Sequence, residues 1–306
     1  MNKAIRIGTR DSKLARWQAT CVFDGLTLAG HASIIEEIKS EGDLDLATPL
    51  YATGVQGFFT RALDAALLDG RIDIAVHSYK DVPVQLAKGL SIAAVLKRGN
   101  PLDVLVIKDE QSAQHINNNT KCLAIATSSV RRKAQWRYHY PGSVINDIRG
   151  NVQTRLQKLR SSQWHGAIFA AAGLERLGLS EKETGPQLLL DWMIPAPAQG
   201  AIVVVCREED KHFIDACRIV HDEDTARCTY AERKFLQLLD GGCATPISAF
   251  AVIDNNELQF TGNITDPDGS GSKTIILKDH IENTDALVRQ VADKMRTVSF
   301  FKSIPA

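Results

Sequence analysis

The 306-residue chain holds no apolar run approaching eighteen residues, the length that a membrane-crossing helix requires. Its opening, MNKAIRIGTRDSKLARWQ, has no apolar stretch of signal-peptide length. Export and membrane insertion are therefore excluded as expectations, and a cytoplasmic location is expected. Net charge is also missing: 36 Lys+Arg balance 36 Asp+Glu, so bulk attraction to nucleic acid or to an anionic membrane is excluded and any anion site must be local. The six cysteines, Cys21, Cys122, Cys206, Cys217, Cys228 and Cys243, form no CxxC pair and no zinc spacing, so no metal site is expected. Scattered thiols of this kind fit a reducing compartment. No GxxxxGK[ST] motif is present and no GxGxxG follows a strand, which leaves nucleotide phosphate without support. Internal repeats and low-complexity segments are lacking too.

What is present is an ordinary globular composition, 44% hydrophobic and 24% charged, long enough for two or three domains with substantial cores. IRIGT alternates like a strand, and Asp11 or Ser12 is placed to cap a helix in which Leu14, Trp17, Cys21 and Leu28 return at helical spacing. ASIIEEI, IDIAVHS, SIAAVL and DVLVI read as further strands, and GFFTRALDAALLDG as a helix with Phe59, Leu63, Ala66 and Leu67 on one face. The alternation repeats through CLAIAT, SVIND and AIFAA with their following helices, and predicts parallel α/β sheets. IPAPAQG leads into a last strand, AIVVVC, and is placed to carry the chain back to the first domain. Beyond Asp222 the character changes. A helix with Ala226, Tyr230, Phe235 and Leu238 precedes DGGCATP and three strands, ISAFAVI, ELQFTGNI and KTIILKD, linked by NN and DPDGS turns, then a closing helix. That grouping predicts an α+β domain with a three-stranded antiparallel sheet.

Charge is not spread evenly. From Thr127 to Arg160 the chain carries eight Lys/Arg against one acid, Asp147. Arg131 and Arg132 follow a strand where Thr127, Ser128 and Ser129 open a helix, and Arg149 with Gly150 repeats the arrangement before Asn151 and Arg155. Strand-to-helix turns lie at the ligand-binding edge of open α/β folds, and helix N-termini offer N–H donors to anions. For Lys133, Arg137, Lys158 and Arg160 a solvated helix face is the better reading. Nucleic acid fits poorly, since the block lacks interleaved stacking aromatics on a sheet. Guanidinium suits carboxylate as well as phosphate. In HSYKDVP, Ser78, Lys80 and Asp81 occupy a turn at the same kind of edge, stiffened by Pro83. A KD pair is most often a surface salt bridge; here its place favours function. Cys243 follows Gly241-Gly242, which permits close backbone approach, and is a candidate nucleophile or attachment point, whereas the other cysteines lie in apolar or helical segments.

Seven segments in order, IRIGTRDSKLARWQA, GFFTRALDAALLDGRIDIAVHSYKDVP, TSSVRR, IRGNVQTRL, AAAGLERLGL, PAPAQGA and DGGCATPI, resemble the porphobilinogen deaminase (hydroxymethylbilane synthase) family over nearly the whole chain. The resemblance implies a transferase of tetrapyrrole (haem) biosynthesis that condenses four porphobilinogen molecules head to tail with loss of ammonia. It implies a dipyrromethane cofactor held by a thioether to Cys243, and Asp81 as the catalytic carboxylate that binds pyrrole N–H groups and stabilises the azafulvene-forming positive charge. It also implies Arg131, Arg132, Arg149, Arg155 and Arg176, with Arg10, Ser12 and Lys80, as contacts to the acetate and propionate groups of the pyrroles. Ser78, Thr127, Ser128, Ser129 and Gln199 complete the cleft it implies.

The implied fold is two periplasmic-binding-protein-like (type II) domains, residues 1–97 with 198–220 and residues 98–197, plus an α+β domain, residues 221–306, presenting Cys243. A monomer acting on porphobilinogen and its oligopyrrole intermediates, without nucleic acid, membrane or metal, is expected. Four positions depart from the family pattern: Gln56 stands where lysine is common, Glu41 where arginine is common, and Ala126 and Ala198 where glycine is. A cleft-type binding protein for a small carboxylic acid is the rival reading.

Overall fold

The computed structural model describes residues 4–39, 60–118, 122–240 and 245–297; Glu41, Gln56, Phe59 and Cys243 lie outside them. Among the described residues the strands are, in the first half, β1 (Ile5–Thr9), β2 (Ser33–Glu37), β3 (Ile74–Ser78), β4 (Leu90–Val95), β5 (Asp103–Ile107) and β6 (Ala124–Ala126). Then follow β7 (Val144–Asn146), β8 (Gly166–Ala170), β9 (Gln187–Leu190), β10 (Ile202–Arg207), β11 (Ile247–Asp254), β12 (Glu257–Thr265) and β13 (Ser272–His280). They fall in two compact units. One takes residues 4–39, 60–99 and 199–227, and the other takes 100–118, 122–198, 228–240 and 245–297.

The first unit is built on a five-stranded sheet of order β2-β1-β3-β10-β4. β1, β2 and β3 are parallel, but β10 runs antiparallel to both β3 and β4. The second unit repeats the pattern as β7-β6-β8-β5-β9, with β6, β7 and β8 parallel and β5 antiparallel to β8 and β9. The two units thus share one α/β sheet topology, and the expectation of parallel sheets is corrected: each sheet is mixed, with one strand running against its neighbours. The reversed strand in each sheet is the one that follows a crossing between the units: β5 after Asn100, β10 after Ala198. Hydrophobic periodicity reports burial, not strand direction, so the reversal left no mark in the pattern.

The helix Lys13–Leu28 is capped by Ser12, whose Oγ accepts from the Ala15 N–H at 3.2 Å. It buries Ala15, Gln18, Ala19, Val22 and Leu26 against Ile5, Ile7, Ile74 and Val76. The expected stripe of Leu14, Trp17, Cys21 and Leu28 is rotated from that face; Trp17 and Leu28 are exposed. Small residues let the helix sit close on the sheet, and that outweighed side-chain size. On the opposite face, the helix Arg61–Leu68 buries Leu63, Ala66 and Leu67 as expected.

At the far end of β1 from its carboxyl edge, Arg6 donates from its backbone N (2.8 Å) and Nε (3.0 Å) to Asp73. Burial works to raise the Asp73 pKa, but the hydrogen bonds and charge of Arg6, joined by the charge of Arg207, outweigh it and hold the carboxyl below its usual range.

In the second unit β11, β12 and β13 form the antiparallel sheet, with Asn255 and Asn256 at φ 49° and 63° in the tight β11–β12 turn. The helices Glu223–Leu238 and Thr284–Arg296 close this core, where Phe235 meets Phe260 edge-on at 5.3 Å. Cys228, Ala231, Phe235 and Leu239 face inward. The expected stripe of Ala226, Tyr230, Phe235 and Leu238 holds only at Phe235 among the fully buried residues; Tyr230 is exposed and donates to Asp285 at 2.9 Å. Glu232, fully buried, accepts from the backbone N–H of Ala198 (2.6 Å) and Ala251 (2.8 Å). It thus ties the end of the Pro-rich segment to β11. Ala198 itself has φ 62°, a left-handed conformation that the glycine of the family pattern takes without strain.

Candidate active site

In the first unit the site residues gather at the carboxyl ends of β1 and β3. Tyr79–Asp81 forms a single 3-10 turn directly after β3. Its Tyr79 N–H donates to Ala201 O at 3.0 Å, and Lys80 Nζ donates to Gln199 Oε1 at 3.0 Å. Gln199 is fully buried, and its carbonyl accepts from Arg98 Nε at 2.8 Å. The KD turn and the PAPAQGA segment are thereby one structure, 119 residues apart in sequence. Ser78 is paired with the buried amide of Gln18, which donates to it at 2.9 Å. Asp81 is exposed, and its carboxylate has no hydrogen-bond or ion-pair partner among the described residues. Arg10 and Ser12 are half-buried just beyond β1, with Ser12 serving as the helix cap.

In the second unit the arginines gather at the carboxyl ends of β6, β7 and β8. Thr127 Oγ1 accepts from the Ser129 N–H (3.3 Å), and Ser129 caps the helix Val130–His139 by accepting from the Arg132 N–H (3.4 Å). Ser128 Oγ donates to Ile148 O and accepts from Ile148 N, both at 2.9 Å, which fastens this turn to the IRGN turn. There Gly150 has φ 113°, and a Cβ would stand 2.7 Å from Thr154 Cγ2, so only glycine fits between Arg149 and the cap Asn151. Arg155 lies over the Phe169 ring, 5.0 Å from its centroid. Arg176 ends the short helix Ala171–Arg176 after β8, half-buried.

Arg131 and Arg132 are buried, 5% and 6% exposed, and the carboxylate that makes this tolerable is Asp103, which is fully buried. Asp103 Oδ1 accepts from Arg132 Nε (3.0 Å) and Nη2 (2.8 Å), and Oδ2 stands 2.7 Å from Arg131 Nη1. Arg132 Nη1 also donates to Ile168 O (2.9 Å), and Arg131 Nη1 to Ile194 O (2.8 Å). Two guanidinium groups thus share one buried carboxylate. Arg131 Nε is buried with no hydrogen bond among the described residues. An N–H on a buried cation with no partner among the described residues, at a strand-to-helix turn opened by three hydroxyl residues, is able to donate to an anionic oxygen.

Sequence reasoning missed Asp103, Gln18 and Gln135. Gln135 bonds Ile194 through both ends of its amide, and its Nε2 also donates to Ser248. Asp103 opens β5, and because β5 runs backwards its first residue lies beside Ala170, the last of β8, at the binding edge. The signal that existed was a lone acid heading an otherwise apolar strand. A buried carboxylate must be paired, and the nearby surplus of cations is the arginine block. Of the basic residues read as surface groups, Lys158 and Arg160 are exposed, Lys158 donating to Arg149 O at 3.1 Å, whereas Lys133 is half-buried and pairs with Asp147 at 2.7 Å. Arg137 is likewise half-buried and donates to Pro267 O at 3.0 Å.

No group of three or more His, Cys, Asp or Glu able to hold a metal ion occurs among the described residues, and no described helix is long and apolar enough to cross a membrane. The donor set of arginines and hydroxyls, with a spare buried Arg131 N–H, fits a ligand rich in carboxylates, as a dipyrromethane with its acetate and propionate groups is.

Residues 5–215 match the family model described as "Porphobilinogen deaminase, dipyromethane cofactor binding domain", and residues 226–297 match "Porphobilinogen deaminase, C-terminal domain". A porphobilinogen deaminase of Syntrophotalea carbinolica is 38% identical over 296 residues, covering 96% of this chain and 93% of that protein. One from Listeria monocytogenes serovar 1/2a is 41% identical over 278 residues, 88% of each. The chloroplastic porphobilinogen deaminase of Oryza sativa subsp. japonica is 41% identical over 274 residues, 87% of this chain and 75% of the relative.

Proposed function

This chain belongs to the porphobilinogen deaminase family, and we propose that its residues divide the work of that reaction between the carboxylate of Asp81 and a set of arginines led by Arg131. The protein is a transferase, a hydroxymethylbilane synthase: it joins four porphobilinogen molecules head to tail, with release of ammonia, into the linear tetrapyrrole hydroxymethylbilane. Its cofactor is a dipyrromethane, which when bound supplies the free pyrrole α-carbon to which the first porphobilinogen is joined. Cys243, outside the described residues, is the attachment point in this reading.

The observation that carries the assignment is the buried Arg131, whose Nε makes no hydrogen bond among the described residues, backed by Arg132 and anchored on Asp103. Each hydrogen bond from a guanidinium to a carboxylate is worth roughly 1.5–3 kcal/mol. Arg131 and Arg132 hold the carboxylates of the cofactor; Arg149, Arg155 and Arg176 hold those of rings added later, and Arg10, Ser12 and Lys80 those of the incoming substrate. Ser78, Thr127, Ser128, Ser129 and Gln199 keep these donors in place through the bonds described above. Asp81 has a carboxylate with no partner among the described residues, so it is able to accept hydrogen bonds from pyrrole N–H groups. Its charge also opposes the positive charge that builds as ammonia leaves.

We read the chain as three domains, residues 1–97 with 198–220, residues 98–197 and residues 221–306. A cytoplasmic site of action accords with the free thiols of Cys21, Cys122, Cys206, Cys217 and Cys228. Purified protein given porphobilinogen will release one ammonia for each molecule consumed and form one hydroxymethylbilane for every four. Binding of porphobilinogen with no ammonia released would instead identify a cleft-type binding protein.

A further inference from the structure

β3 carries a buried group that neither the fold nor the reading above uses. His77, one residue before Ser78 and four before Asp81, is 5% exposed. Its Nε2 is buried and makes no hydrogen bond among the described residues. Burial, helped by the positive charge of Arg10, pulls the imidazole pKa down to about 4, so the ring is neutral at neutral pH.

Arg10 is the charged group that acts on it. β1 and β3 are parallel with Gly8 opposite Ala75, and that register, continued past the end of β1 at Thr9, leads Arg10 toward His77. By strand alternation the His77 side chain leaves the sheet on the face away from the core formed by Ile7, Ile74 and Val76. A buried ring nitrogen without a partner costs about 1–3 kcal/mol, and a cation beside it deters the ring from gaining a proton. An anionic oxygen delivered to this spot resolves both: it accepts from the Nε2–H tautomer of the imidazole and from the guanidinium together.

We propose that His77 is a further substrate-binding residue, whose Nε2 and the Arg10 guanidinium together clamp one carboxylate of porphobilinogen. The clamp sits four residues before Asp81, so the ring it holds is the one from which ammonia departs. The proposal rests on the reading of Arg10 as a carboxylate contact.

His77→Leu and His77→Phe remove the nitrogen while keeping bulk, and His77→Gln keeps a donor at similar reach. With the holoenzyme, the apolar variants raise KM for porphobilinogen about tenfold and leave kcat within about threefold, whereas His77→Gln stays near the wild-type KM. In the absence of substrate at least one apolar variant melts no lower than wild type, because an unpaired buried polar atom has been taken away. Two apolar forms are used so that recovery of either suffices. An unchanged KM in the recovered form, whatever its melting temperature, makes the ring a packing residue and overturns the proposal. Arg10→Leu separates the two readings. If it leaves KM unchanged, the carboxylate role of Arg10 falls and the clamp with it; if it raises KM and the His77 variants do not, only the clamp falls.

Discussion

Asp81→Asn lowers the turnover of porphobilinogen by about a hundredfold or more, in the range seen when one preorganised electrostatic group is lost from an active site, and leaves the melting temperature nearly unchanged. The two halves of that result come from one observation. Asp81 is exposed at the end of its 3-10 turn, and no described residue pairs with its carboxylate. The turn is held by other bonds, Tyr79 N–H to Ala201 O and Lys80 Nζ to Gln199 Oε1, so exchanging the carboxylate for an amide disturbs nothing that supports the fold. The amide keeps the shape and one acceptor oxygen. It lacks the charge that opposes the developing cation. Steady-state kinetics and thermal melting check this; an Asp81→Asn enzyme with near-normal kcat would remove Asp81 from the catalytic role.

The largest stability effect falls on a residue that touches no substrate. Asp103→Asn leaves Arg131 and Arg132 buried with their shared carboxylate replaced by a neutral group, one end of which points a donor at a donor. Removing one partner from a buried ionic group costs about 3–5 kcal/mol, which corresponds to roughly 10 °C in melting temperature for a unit of this size. The Arg131 and Arg132 side chains also lose the acceptor that fixes them, so the variant is expected to retain little cofactor. Thermal melting and intact mass test both parts together. A variant that melts within about 2 °C of wild type and carries the full cofactor mass would contradict the anchoring role of Asp103.

These two residues show what the sequence exposed and what it concealed. Asp81 was legible because HSYKDVP places it in a turn directly after a buried strand, and the structure puts the turn there. The caps at Ser12, Ser129 and Asn151, the inward residues Val152, Leu156 and Leu159, and the three hairpin-linked strands of the last sheet were legible for the same reason: local chemistry decides them. Asp103 was concealed because its neighbours are set by β5 running against β8, which brings it to Arg132 from 29 residues away. His77 likewise reads as one more strand residue until the fold buries it and brings the charge of Arg10 to bear on it. Trp17, Leu28 and Tyr230 misled through size: large apolar or aromatic side chains at helical spacing looked like core, while the close helix–sheet approach favoured Ala15, Ala19 and Ala231. Charge patterning picked out the arginine block, but not the buried carboxylate that holds Arg131 and Arg132.

The account rests on a covalent dipyrromethane held by Cys243 within a chain shaped to receive its carboxylates, and the intact mass of the purified protein, taken beside Cys243→Ser, tests it most directly. Wild type is expected to exceed the sequence mass by two linked pyrrole units, with peptide mapping placing the addition on the segment DGGCATP. Cys243→Ser is expected at the sequence mass, since a hydroxyl is a far poorer nucleophile than a thiolate. Wild-type protein at the bare sequence mass after exposure to porphobilinogen, or the added group mapped to any other residue, would contradict the account.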